Sequence, residues 1–160
     1  MFSQNYRMFL TVFLSAIFFS NIVFADPTDG CELGGNELFV TTDGVVLYNA
    51  AEPIGGFQFN VDGSGVSISG ASDGAAGDAG FTVSAGGNTV LGFSFTGATI
   101  AAGCGDLTAL AFTGEISGLS GIVVSDPTGN GIDYSYYSGP VTGCTDTSAC
   151  NFNAEAQEDD

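Results

Sequence analysis

Apolar residues in this chain recur at every second position, and no stretch of ~10 residues repeats them at the spacing of a helical face. Phe57, Phe59 and Val61 alternate with Gln58, Asn60 and Asp62, and Leu91, Phe93 and Phe95 alternate with Gly92, Ser94 and Thr96. Side chains of a strand point alternately to its two faces, so each run predicts a half-buried strand with its apolar side chains inward. Asp43-Gly44, Asp62-Gly63, Gly86-Gly87 and Gly129-Asn130 are dipeptides that tolerate positive φ and join antiparallel strands. Between them lie about nine strands, near 37–42, 45–49, 55–62, 65–69, 81–85, 88–96, 107–114, 121–125 and 131–138. Ser72 to Ala79, rich in Gly and Ala, reads equally as a short helical turn or a loop. The expectation is an all-β fold, a jelly-roll-like sandwich of two sheets over residues 26–142 with an irregular acidic tail.

The chemistry open to such a chain is narrow. Of 160 residues 18 are Asp or Glu, His is absent, and the single cation is Arg7. Without His no side chain changes charge unaided near neutral pH; without Lys there is no Schiff base, and without Arg no bidentate grip on phosphate. A conventional enzyme is therefore not expected. Nucleic acid is excluded as a partner, because binding it needs cations that neutralise phosphates. The chain is nevertheless not of disordered type, since Phe57, Phe59, Phe81 and Phe112 accompany many Val, Ile and Leu. Self-repulsion among so many carboxylates favours a saline medium or bound divalent cations, which screen or neutralise it.

Residues 1–25 read as a signal peptide. A polar start holding Arg7 is followed by an apolar run from Met8 to Phe24 and by Val23-Phe24-Ala25, with small side chains where a signal peptidase needs them. The alternative is an uncleaved anchor, but Ser15, Ser20 and Asn21 interrupt a run already short for a bilayer core of ~30 Å. Cleavage before Asp26 places the mature chain outside the cell or at its surface, with no membrane partner. Four cysteines in a secreted chain imply disulfides, and three pairings are open. Cys31 precedes the first strand and Cys104 lies between two glycines, so a Cys31–Cys104 bond would staple the amino terminus to the sandwich and leave Cys144 with Cys150. Zinc is the rival reading, but the cysteines lack the close spacing of a structural site.

The order Gly56-Phe57-Gln58-Phe59, Val90 to Thr96, Gly105-Asp106-Leu107, Ile122 to Gly129 and Ile132 to Tyr136 resembles cohesin-like domains and the related β-sandwich carbohydrate-binding modules. Asp126-Pro127-Thr128-Gly129 takes the place of that family's late hairpin. The resemblance covers about residues 36–142 and implies noncatalytic extracellular binding, to a protein domain or to polysaccharide. The chain has no Trp on which a sugar ring could stack, and Tyr134, Tyr136 and Tyr137 are the cluster that would substitute. Tyr134 and Tyr136 share a face with Ile132, which also fits sheet packing with hydroxyls at the rim, while Tyr137 points the other way.

Residues 143–160 change character. Gly143-Cys144-Thr145-Asp146 and Ala149-Cys150-Asn151-Phe152-Asn153, ending in Asp159-Asp160, resemble the start of a Cys- and Asp-rich repeat of large surface proteins of marine bacteria and some large viruses. Phe152 stands where that repeat has Tyr, and the match ends before the expected Gly-Ser-Cys, as in a truncated repeat. Asp146, Asn151, Asn153, Asp159 and Asp160 supply hard oxygen ligands of the kind calcium takes, although a solvated acidic linker has the same composition. Asp62, Asp73, Asp78, Asp126 and Asp133 on the loops would also suit a cation, but no spacing singles out a group.

Three functions follow. The first is a noncatalytic adhesion or scaffold module that binds an extracellular protein. The second is a polysaccharide-binding module accessory to polysaccharide degradation. The third, least favoured, is a glycoside hydrolase using two carboxyls ~5–9 Å apart, since nothing marks a pair among so many acids.

Overall fold

The computed structural model describes residues 25–139. The described chain is all-β, a single hydrogen-bonded sheet curled into a half-barrel. Its strands are β1 Glu37–Val40, β2 Val45–Ala50, β3 Gly56–Ser72, β4 Thr82–Gly86, β5 Thr89–Phe93, β6 Gly103–Ser125, β7 Gly131–Ile132 and β8 Ser135–Tyr136. A short helix, α1, occupies Gly74–Asp78, within the segment whose sequence left helix and loop open. The order across the sheet is β4-β5-β3-β6-β2-β1-β8, with β7 against the end of β6.

The expected pair of sheets becomes one because β3 and β6 are long enough to run through both layers. The runs expected at 55–62 and 65–69 both fall in β3, apart from Gly55, and those at 107–114 and 121–125 both fall in β6. The first half of β3 pairs with β5 and with the end of β6, whereas its second half pairs with Ala109 to Thr113, close to where β6 meets β2. Along β3 the register against β6 slips four times, at Gln58/Asn60, Asp62/Gly63, Ser64/Ser67 and Ile68/Gly70. Each slip adds an unpaired residue that bends the strand and increases its twist. Asp62-Gly63, read as a hairpin turn, is one of these bends: Gly63 has φ 154°, and a Cβ there would overlap the carbonyl of Glu115. The ladder thus turns the corner without breaking.

Bending brings two wings face to face. Phe57, Phe59, Val90 and Val124 from one wing and Leu38, Val46, Tyr48 and Leu107 from the other form one buried cluster. The β4–β5 turn closes the curl, because Ile68 donates its N–H to Gly87 O (2.7 Å) and Val61 to Asn88 O (2.8 Å), on either side of the bend in β3. Asp43-Gly44 and Gly129-Asn130 lie in the β1–β2 and β6–β7 connections, as their composition predicts, while between β4 and β5 the turn falls one residue later than Gly86-Gly87, at Gly87-Asn88, with Gly86 closing β4.

The amino-terminal segment is a strap on the outside of β1 and β2. The Asp29 carboxylate accepts from Cys31 N (2.8 Å) and starts a 3-10 turn at Gly30–Glu32, and Cys31 is bonded to Cys104 as expected. Beneath the strap a second small cluster packs Leu33 with Phe39 and Leu47. The Cys144–Cys150 pairing lies outside the described residues, as does the segment read as a signal peptide up to Phe24.

Candidate binding face

Among the described residues, the outer side of the β4-β5-β3-β6 wing presents accessible apolar side chains. Strand registers place its side chains in cross-strand rows. Ser84, Leu91, Gln58 and Val123 form one row, and Thr82, Phe93, Gly56 and Ser125 the next. None of these side chains is charged, in a chain of formal charge −17. Leu91 is 41% exposed, Val123 58% and Phe95, just beyond β5, 83%. Phe95 stands edge-on to Phe93, with ring centroids 4.7 Å apart. A shallow groove of about 330 Å³ runs between Gln58, Leu91, Phe93, Val123 and Ser125. Four strands at ~4.8 Å spacing make this face about 15 Å wide, room for one protein element or an extended polymer.

Phe93 and Leu91 reverse the phase expected from alternation. The inward side chains of β5 are Val90 and Gly92, not Leu91, Phe93 and Phe95. Gly92 pairs with Phe57, whose buried ring occupies the space a side chain at 92 would need. The glycine was the available signal, since Gly inside a strand marks close approach of another group.

The tyrosine cluster is half-buried and divided. Tyr136 stacks on Phe39 (5.8 Å, 21°) and Tyr137 meets the same ring edge-on (6.0 Å, 86°), so both help to seal the second cluster. Tyr134 packs on the main core, and its hydroxyl is buried without a hydrogen-bond partner among the described residues. Burial first, then the neighbouring Tyr48 and Glu52, push that hydroxyl's pKa up to about 12. All three rings thus pack in part against the protein, Tyr134 on the main core and Tyr136 and Tyr137 on Phe39.

The loop acids are scattered. Asp62 accepts from Ser120 Oγ (2.9 Å) and Asp73 from Ser72 Oγ (2.9 Å). Asp126 serves the β6–β7 hairpin: its Oδ1 accepts from Thr128 N, Thr128 Oγ1 and Asn130 N, and its Oδ2 from Asn130 Nδ2. Asn130's side chain and Thr128's hydroxyl, followed by backbone N–H groups, hold the Asp126 carboxyl down at about 2. Among the described residues no three of His, Cys, Asp and Glu converge as metal ligands. Asp146, Asn151, Asn153, Asp159 and Asp160 lie outside the described residues. Comparison with protein-family models, curated proteins and solved structures gave no match.

Proposed function

We infer that this chain is a noncatalytic extracellular binding module, acting in adhesion or assembly, and that it docks a protein partner on the outer face of β4-β5-β3-β6. The observation that carries this reading is the uncharged face with exposed Leu91, Val123 and Phe95 in an otherwise acidic chain. Its margins hold Asp62 and Asp126, so the complementary partner presents an apolar centre and a basic rim. The Cys31–Cys104 bond fits an oxidising compartment, and with the leader-like start it supports secretion.

The test compares the secreted chain with a Leu91→Ser/Val123→Ser variant against a purified partner identified by crosslinking through this face. Apolar anchors at the centre of an interface each cost more than ~1 kcal/mol when lost, so affinity falls at least about tenfold. Binding that ignores both substitutions removes the face from the function. Turnover of a glycoside substrate refutes a noncatalytic role. A second reading, polysaccharide binding, is favoured by the exposed ring of Phe95, which stands edge-on to Phe93. Saturable binding to a neutral polysaccharide that is lost in Phe95→Ala puts it in place of the protein partner.

A further inference from the structure

We propose that Asn130 is a site of spontaneous deamidation, held in check by the carboxylate of Asp126. It is the only Asn in the sequence followed by Gly. In this chemistry the backbone nitrogen of the next residue, on losing its proton, attacks Asn Cγ. The N–Cγ bond forms, the Cγ–Nδ2 bond breaks, and the amide leaves as ammonia. Water then opens the resulting five-membered imide at either carbonyl, giving aspartate or its isoaspartyl isomer, with no change of oxidation state.

Three features of the β6–β7 hairpin favour attack by Gly131. It is exposed, and the place of its missing Cβ is open, with no atom within 4 Å. Its N–H also faces away from β6. Asp126 N donates to Asn130 O (2.8 Å), which makes 126 and 130 a hydrogen-bonded pair, so the next pair, Ser125 and Gly131, is of the non-bonded kind whose N–H groups point outward. The other described asparagines, Asn36, Asn49, Asn60 and Asn88, precede Glu37, Ala50, Val61 and Thr89, whose side chains hinder the same approach.

The clasp opposes reaction. Asn130 Nδ2 donates to Asp126 Oδ2 (2.9 Å) and Thr128 Oγ1 (2.7 Å), so the side chain must leave both before Cγ can meet the Gly131 nitrogen. Once an oxygen replaces Nδ2, two donated hydrogen bonds give way to two facing carboxylates. The hairpin then loosens beside Gly55, whose N–H donates to Ser125 O (2.7 Å). Modification thus acts as a slow, irreversible timer on this corner of the domain.

The experiment incubates the folded full chain at mildly alkaline pH and follows the amide-to-acid mass gain by peptide mapping. Isomerising Asp-Gly bonds give no such gain and do not interfere. The gain is expected first at Asn130, as a mixture of aspartyl and isoaspartyl products. Gly131→Ala, which the open space tolerates, should largely abolish it, and Asp126→Ala should speed it severalfold. Should Asp126→Ala fail to fold by circular dichroism, Thr128→Val, which removes one acceptor of Nδ2, replaces it with a smaller expected acceleration. Earlier gain at another Asn, or an unchanged rate in Gly131→Ala, overturns the site. An unchanged rate in the clasp variants overturns the restraint.

Discussion

Replacing Gly92 by Ala tests the way the curled sheet is filled. Gly92 sits opposite Phe57 on the inner side of β5, and a methyl group there would overlap the Phe57 ring. The ring has little room to yield. It lies almost parallel to Phe59 (5.9 Å, 8°) on one side and Phe81 (6.2 Å, 9°) on the other, and it is buried. Overpacking of this kind costs about 1–3 kcal/mol, and rings on both sides place Gly92→Ala toward the upper end. Against it stands a gain of about 0.5–1 kcal/mol, because Ala has fewer unfolded conformations than Gly and the backbone at 92 is not in the positive-φ region. The net loss is therefore about 1–2 kcal/mol of a total near 5–15 kcal/mol. At about 4 °C per kcal/mol for a domain of this size, Tm falls by about 4–8 °C, measured by calorimetry and checked by urea unfolding. Phe57→Leu in the same background makes room, so the double variant should lose less than the sum of the singles by about 0.5–2 kcal/mol. A neutral or stabilised Gly92→Ala, or strict additivity with Phe57→Leu, would refute this packing.

Changing Cys31 and Cys104 to Ser opens a loop spanning a sequence separation of 73, worth up to about 4 kcal/mol in the chain-entropy estimate; urea unfolding that shifts by less than about 1 kcal/mol would show that the strap is held by packing alone. Asp126 titrates at about 2 in the folded chain against ~3.9 unfolded, so its contribution to stability is fully present above about pH 4 and is lost as pH falls through 2; an NMR midpoint for its carboxyl near 4 contradicts the clasp. With a formal charge of −17, thermal stability should rise with sodium chloride, and further with calcium at matched ionic strength; coincident melts in the two salts would reduce the acidity to screening.

What the sequence made legible was local. Period-two alternation predicts strands wherever β1, β2, β4 and β5 lie, and three of the four glycine-containing dipeptides lie at or within one residue of a turn, because these signals act within a few residues. The Cys31–Cys104 bond was legible from redox chemistry and position. The continuity of β3 and β6 was not. A glycine between two alternating runs permits a turn or a bulge equally well, and at Gly63 the partner decides. Glu115 approaches so closely that the strand bends and stays paired instead of reversing.

The outward placement of Leu91 and Phe93 escapes a reading of alternation for a related reason. Alternation states that one side of a strand is buried without stating which, and bulky residues are assigned inward by default. In β5 that default fails because Phe57 reaches across from β3 and fills the inner space at Gly92, while Val90 suffices for the rest of the inner face. Leu91 and Phe93 are then free to point outward, next to Gln58 and Gly56, whose small or polar side chains leave the groove between them. The surplus apolar surface on the outside is thus a consequence of the glycine on the inside. Had residue 92 been Val, the ring of Phe57 would have to move and the strand would have an inward side chain of its own. Leu91 would remain exposed, next to a displaced Phe57 ring. The same glycine therefore sets the packing of the core and the presentation of the outer face. For that reason Gly92→Ala is expected to weaken stability and partner binding together, whereas Leu91→Ser/Val123→Ser weakens binding alone.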